Sequence, residues 1–299
     1  MKIRLNPIVK KDLQVAARSM RLSWGLFAYE GILTIAYLLA MMVIQEERSY
    51  IYYSTENIYR DLVYLFPVVA IVQLCIVALI LPIITASSIS GEKERQTFDI
   101  MLTTCMSPFS IVVGKVTSAV LRILFYVVAS LPIMALAFVV GGLSWMNLLY
   151  YILAIVLFSV FSGSIGILCS AFSRKSITAV IMSFAIYAVI YGLSFMPVLI
   201  HLILGEGKAG ESMLFLLFNP LVFFEEFFML IMSGESFFGE ISFSRKDVGL
   251  ITYCIAREHV WIYVSAACIL GLSILFMVIA AWKVNPMNTQ SKKKRKKAA

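Results

Sequence analysis

The chain has 299 residues, of which 61% are hydrophobic and 14% charged, and its formal net charge is +8. A water-soluble domain is near half apolar and a quarter charged, so this composition excludes a soluble enzyme, a disordered chain and a disulfide-stapled secreted module. Most of the surface must face lipid.

In a soluble chain the basic excess would point to nucleic acid. Here the basic residues flank long apolar runs, where they set membrane orientation, and no nucleic-acid partner is expected. The five cysteines, Cys75, Cys105, Cys169, Cys254 and Cys268, form no CxxC pair, and there are two histidines, His201 and His259. No metal site and no structural disulfide are expected. The basic N-terminal stretch is too long for a cleavable signal, so the first apolar span should stay as an anchor.

In chain order, residues 1–21 form a cytoplasmic amphipathic helix. Asn6 can cap it and Pro7 suits its first turn. Ile8, Val9, Leu13, Ala16 and Met20 recur at helical spacing with Lys10, Lys11 and Arg18 between them, the pattern of a helix lying on the inner leaflet. Six stretches are then long enough to cross a hydrocarbon core of ~30 Å: Leu22–Ile44, Leu62–Ala86, Thr117–Gly141, Met146–Ser170, Ile177–Leu202 and Val260–Trp282. The expected fold is therefore an all-α integral membrane protein whose six-helix domain covers 22–282. Pro67, Pro82, Pro132 and Pro197 should kink the second, third and fifth spans.

Glu30 lies ~12 Å into the first span, and Arg122 enters the third from the same side. They either form an ion pair that lowers the cost of each charge or line a transport path. Ser162, Gly166 and Ser170 recur every four residues on the fourth span, a stripe that permits close helix contact. Between the fifth and sixth spans, residues 203–259 include an apolar segment, 213–232, that carries Asn219-Pro220 and Glu225-Glu226 near its middle. Two carboxylates at the bilayer centre would each cost several kcal/mol. The segment is read as an extracellular re-entrant hairpin broken at Pro220, with a seventh span as the alternative. Glu225 and Glu226 are outer gate candidates; Phe223, Phe224, Phe227 and Phe228 read as interfacial anchors. Residues 283–299 form a basic cytoplasmic tail, and Lys292–Lys297 suits anionic lipid headgroups. With the N-terminus cytoplasmic, 18 of the 25 Lys and Arg fall on the inner side, six on the outer and Arg122 inside a span. That bias places both termini in the cytoplasm of a multi-pass cell-membrane protein.

The most informative stretch is the cytoplasmic loop 87–116. Four alternating charges, Glu92-Lys93-Glu94-Arg95, precede a short apolar helix candidate over Phe98–Leu102, which Thr103-Thr104 and Ser107-Pro108 terminate. Ile100, Met101 and Leu102 would be exposed unless they dock. The partner is either a cytoplasmic protein, with Glu92, Glu94 and Arg95 setting charge register at the rim, or the chain's own spans.

This loop resembles the signature of type 2 ABC exporter permeases, the membrane subunits of ABC transporters. Gly91, Glu92, Lys93, Glu94, Arg95, Thr97, Leu102, Thr103, Ser107, Gly114 and Lys115 match in order, whereas Gln96 stands where many members carry Gly and Cys105 where many carry Pro. The resemblance implies a coupling helix, with Gly91, Glu92, Lys93, Glu94, Arg95, Thr97 and Lys115 at the contact with an ATP-binding subunit. It also implies two copies of that subunit, which hold the ATP and Mg, and a second permease copy or a related permease. No phosphate-cradling G-x-x-x-x-G-K-[ST] run occurs: Gly205-Glu206-Gly207-Lys208 lacks its leading glycine and its hydroxyl residue. The chain is expected to bind no cofactor and to be a transport subunit rather than an enzyme. The rival readings are a permease-like sensor or scaffold for an ATPase, and an intramembrane enzyme. The sequence does not name the substrate.

Overall fold

A computed structural model describes residues 7–50, 62–98, 107–141, 143–204, 213–234 and 260–285. The expectations for Ile100–Leu102, Cys105, Gly205–Lys208, His259 and the basic run Lys292–Lys297 fall outside these residues.

The described residues are helical, with no strand among them. Lipid offers no hydrogen-bond partner to a backbone, so apolar runs of this length satisfy their own N–H and C=O groups as helix. In chain order the helices are α1 (Pro7–Ala17), α2 (Met20–Tyr50), α3 (Leu65–Glu94), α4 (Pro108–Ala129), α5 (Leu131–Val140), α6 (Trp145–Phe172), α7 (Ser176–Leu193) and α8 (Met196–Leu204). A 3₁₀ turn over Leu214–Phe218, α9 (Pro220–Met232) and α10 (Val260–Val284) follow. Among the described residues, six stretches are long and apolar enough to cross a membrane, and each overlaps one of the six expected spans.

The fourth span, α6, is the most enclosed and the first, α2, the least. On α2, Trp24, Phe27, Ile35, Leu38, Leu39 and Met42 stay exposed, as suits a helix solvated by lipid. The small-residue stripe explains the position of α6. Ser162, Gly166 and Ser170 are fully buried there, and a Cβ placed on Gly166 would overlap Thr85 Oγ1 and lie 2.9 Å from Thr85 Cβ and 3.1 Å from Ala86 N of α3. The glycine is thus what lets the second and fourth spans touch, and the stripe serves packing within one chain.

Two spans expected to be continuous are split. The third breaks at Ser130, between α4 and α5, with Pro132 in the first turn of α5. Ser130 is fully buried; its hydroxyl donates to the Val127 carbonyl at 3.0 Å and accepts from Tyr29 OH at 3.3 Å and Gln73 Nε2 at 3.2 Å. Tyr151 OH, at 3.3 Å from Gln73 Oε1 and 3.2 Å from the Ala70 carbonyl, extends the network. Side chains from the first four spans thus meet at the break and satisfy polar groups that lipid could not. The fifth breaks between α7 and α8 with Pro197 in the first turn of α8, and Asn219 Nδ2 donates to Ser194 Oγ there at 2.7 Å. Pro132 and Pro197 therefore begin new helices rather than kink old ones.

In the segment 213–232, Asn219 caps α9 by accepting from Leu221 N at 2.9 Å, and Pro220 opens the helix. The 13 residues of α9 span ~20 Å, too short to cross a bilayer. The phenylalanines are not interfacial anchors. Phe223, Phe224, Phe227 and Phe228 are buried, with Phe224 edge-on to Phe158 at 5.6 Å and Phe228 edge-on to Phe66 at 6.3 Å. Aromatic burial of this kind outweighs what an interface offers.

Candidate functional site

The second span does not end where the hydrophobicity ends. α3 continues to Glu94, so residues 87–94, expected in a loop, form its last two turns. Hydroxyls sustain the extension: Ser87 donates to the Ile83 carbonyl at 2.9 Å, Ser88 to that of Thr85 at 2.8 Å and Ser90 to that of Ala86 at 2.6 Å. Ser170 Oγ of α6 accepts from Ile89 N at 3.0 Å and Ser90 N at 2.8 Å. At 30 residues the helix is ~45 Å long, so its end projects past a hydrocarbon core of ~30 Å.

The helix stops in a Schellman turn. Gln96 N donates to the Lys93 carbonyl at 3.2 Å and Thr97 N to that of Glu92 at 2.9 Å, while Gln96 takes φ +59°. The left-handed conformation suits glycine, which gives a physical reason for the glycine common at this position in the resembling permeases. Gln96→Gly is expected to raise stability by about 1 kcal/mol and Gln96→Val to lower it, read as opposite shifts of the thermal midpoint in detergent. A fall with glycine would count against the turn.

The charges Glu92, Lys93 and Glu94 bond to neighbouring helices of the chain itself. Lys115 of α4 is 8% exposed; its Nζ lies 2.8 Å from Glu92 Oε1 and 3.5 Å from Asp12 Oδ2 of α1. Ser118 Oγ adds a hydrogen bond to Asp12 Oδ2 at 3.3 Å. Lys93 Nζ donates to the carbonyls of Ser170, Ala171 and Ser173 at 3.2, 2.5 and 3.3 Å. It thus satisfies the orphan acceptors at the end of α6, where a cation also complements the helix dipole. Glu94 Oε2 accepts from Ser176 N at 3.3 Å and Ser176 Oγ at 2.8 Å, an anion at the start of α7. Three consecutive side chains therefore tie the end of the second span to the third, fourth and fifth spans, and through Lys115 to α1.

Glu92 and Lys93 are half-buried in these contacts, whereas Glu94 is exposed. Gly91 lies inside the helix, whereas Arg95 and Thr97 remain exposed. Phe98 is half-buried against the cluster of Ile89, Val112 and Val116, with Lys93 Nζ 5.6 Å from its ring centre. The segment from Arg95 to Ser107 that joins α3 to α4, hereafter the elbow, thus begins by docking on its own spans at Phe98. Sequence reasoning missed Asp12, Ser170, Ser173 and Ser176 as partners. Asp12 was legible as the lone acid of a basic helix, and the serines as polar residues where an apolar run ends.

Glu30 and Arg122 do not pair. Glu30 Oε1 and Arg122 Nε are both buried and without a hydrogen-bond partner among the described residues. Arg122 lies nearer the N-terminal ends of α2 and α4 than Glu30 does, because Tyr29 packs edge-on against Tyr126 at 5.4 Å, a full turn beyond Arg122. In α9 the two glutamates part company: Glu225 is exposed and Glu226 is 1% exposed among the phenylalanines.

No individual curated protein matches the chain. A family profile described as ABC-2 family transporter protein matches residues 7–285, which includes α1, the elbow and all six candidate spans. The chain accordingly belongs to the ABC-2 family of transporter membrane proteins, as a permease subunit of an ABC transporter.

Proposed function

We propose that this permease moves its substrate outward, driven by a separate ATP-binding subunit that presses on the elbow from Arg95 onward. Two permease subunits, either two copies of this chain or one with a related permease, enclose the path, with one ATP-binding subunit on each elbow. Both termini are cytoplasmic, residues 213–232 re-enter from the outer face with Glu225 and Glu226 as gate candidates, and the tail Lys292–Lys297 rests on anionic lipid.

The observation that carries this reading is the staple of Glu92, Lys93 and Glu94. A push on an ordinary loop would dissipate in the loop. A push on a helix end bonded to α4, α6 and α7, with α1 attached through Lys115 of α4, moves four elements as one body, which alternating access requires. The positive-inside bias and the exposed Arg95 beside the staple support the same orientation. A sensor or scaffold would use the same contact without net movement of cargo, and an intramembrane enzyme would need no such contact.

The test uses the full chain in proteoliposomes. Affinity capture from native membranes is expected to recover an ATPase with a phosphate-binding loop, whose ATP hydrolysis the wild-type permease stimulates. Arg95→Glu, an exposed site that leaves the staple intact, is expected to reduce that stimulation about tenfold. Recovery of no nucleotide-binding subunit, or undiminished stimulation by Arg95→Glu, would refute the coupling role. Stimulation without ATP-driven cargo movement would favour the sensor.

A further inference from the structure

On the membrane side of the Lys115–Glu92 contact, a cavity of about 260 Å³ opens between α1, α3 and α4. Asp12, Thr85, Ser88, Lys115, Ser118 and Arg122 are among its lining residues. At about 30 Å³ per water it holds roughly eight or nine non-hydrogen atoms.

Its polar groups fall into two sets. Lys115 is already neutralised by Glu92 and Asp12. Arg122 has no ion pair or hydrogen bond among the described residues, and its Nε is buried, so one guanidinium charge is uncompensated. The hydroxyls of Thr85, Ser87 and Ser88 donate to the carbonyls of Leu81, Ile83 and Thr85 in their own helix. What they have left to offer is acceptor lone pairs, and the carboxylate of Asp12, a quarter exposed, adds the strongest acceptor.

A simple anion would satisfy Arg122 and meet repulsion from Asp12. A simple cation would satisfy Asp12 and meet repulsion from Arg122. A group with a phosphate at one end and a primary ammonium at the other satisfies both: the phosphate takes the guanidinium, and the three N–H donors take the carboxylate and the serine oxygens. We propose that this cavity holds a phosphoethanolamine headgroup, supplied by a lipid of the inner leaflet. The lipid source follows from the surroundings. One turn past Arg122, Phe125 is exposed, as are Trp24 and Phe27 on α2, and this apolar surface accommodates acyl chains. A choline headgroup has no N–H to donate, and a glycerol headgroup leaves Asp12 facing a net anion. This site is independent of the direction of transport and of the ATP-binding partner.

The test is native mass spectrometry of the full chain released from nanodiscs with equal phosphatidylethanolamine, phosphatidylcholine and phosphatidylglycerol. Wild type is expected to retain phosphatidylethanolamine at least tenfold over either other lipid. Arg122→Gln should cut that retention about tenfold, and Asp12→Asn should bring phosphatidylglycerol level with phosphatidylethanolamine. Arg122→Lys, which keeps the cation, should stay within about threefold of wild type. The wild-type preference needs no variant to fold: equal retention of the three lipids, or preference for phosphatidylglycerol, would overturn the proposal. Binding of free phosphoethanolamine from solution without any lipid preference would overturn the lipid assignment.

Discussion

Gly166→Val is expected to prevent the bundle from assembling. A Cβ at this position already overlaps Thr85 Oγ1 and comes within 3.1 Å of the Ala86 backbone nitrogen. A side chain can rotate away, but the backbone nitrogen of α3 cannot move without separating the two central spans. Overpacking costs about 1–3 kcal/mol even where neighbours relax, so the valine variant should lose at least about 3 kcal/mol. Its expected signature is loss of the monodisperse peak in fluorescence-detected size exclusion. Gly166→Ala should assemble with a lowered thermal midpoint. Adding Thr85→Ala should recover only part of that loss, because Thr85 Cβ, at 2.9 Å, and the Ala86 nitrogen remain. An unchanged midpoint for Gly166→Ala would mean that the two spans do not touch there.

Lys115→Met is the second large effect. It removes the one cation in contact with both Glu92 and Asp12, leaving two carboxylates near each other; Glu92 Oε2 is already buried without a partner. Breaking one side of a fully buried pair costs about 3–5 kcal/mol. Both carboxylate side chains keep about a quarter of their exposure, so a loss of about 2 kcal/mol is expected. Replacing both partners with apolar residues of similar size is often neutral. Lys115→Met combined with Glu92→Leu should therefore recover most of the loss, read as thermal midpoints in one detergent. If the double variant is as damaged as the sum of its parts, the two residues do not interact.

The six spans were legible because crossing lipid demands ~20 apolar residues in a row, and few other constraints leave so plain a mark. The amphipathic α1 was legible for a similar reason: Val9, on its apolar stripe, is buried. The breaks at Ser130 and Ser194 were not, since a hydropathy pattern is blind to a helix that stops and restarts within an apolar run. What decides them is distant in sequence: Tyr29 and Gln73 for Ser130, Asn219 for Ser194. The candidate site was half legible. Its residue types and order stood out, but the direction in which Glu92, Lys93 and Glu94 point did not. Alternating charges look alike whether or not they meet the ends of neighbouring helices, and only the placement of Lys115, Ser170 and Ser176 shows that these do. Glu30 and Arg122 show the converse error: similar depth along two helices suggested a pair that the parallel packing of α2 and α4 does not form.

The bond between Asp12 and Lys115 also bears on how the polypeptide is made. About 100 residues separate the two, so at 5–20 residues per second a ribosome needs roughly 5–20 s to deliver the lysine after the aspartate. Throughout that interval the amino-terminal helix has no third span to settle on. It must wait for Lys115, and the groups that Lys93 and Glu94 bind, at Ser170 and Ser176, are made later still.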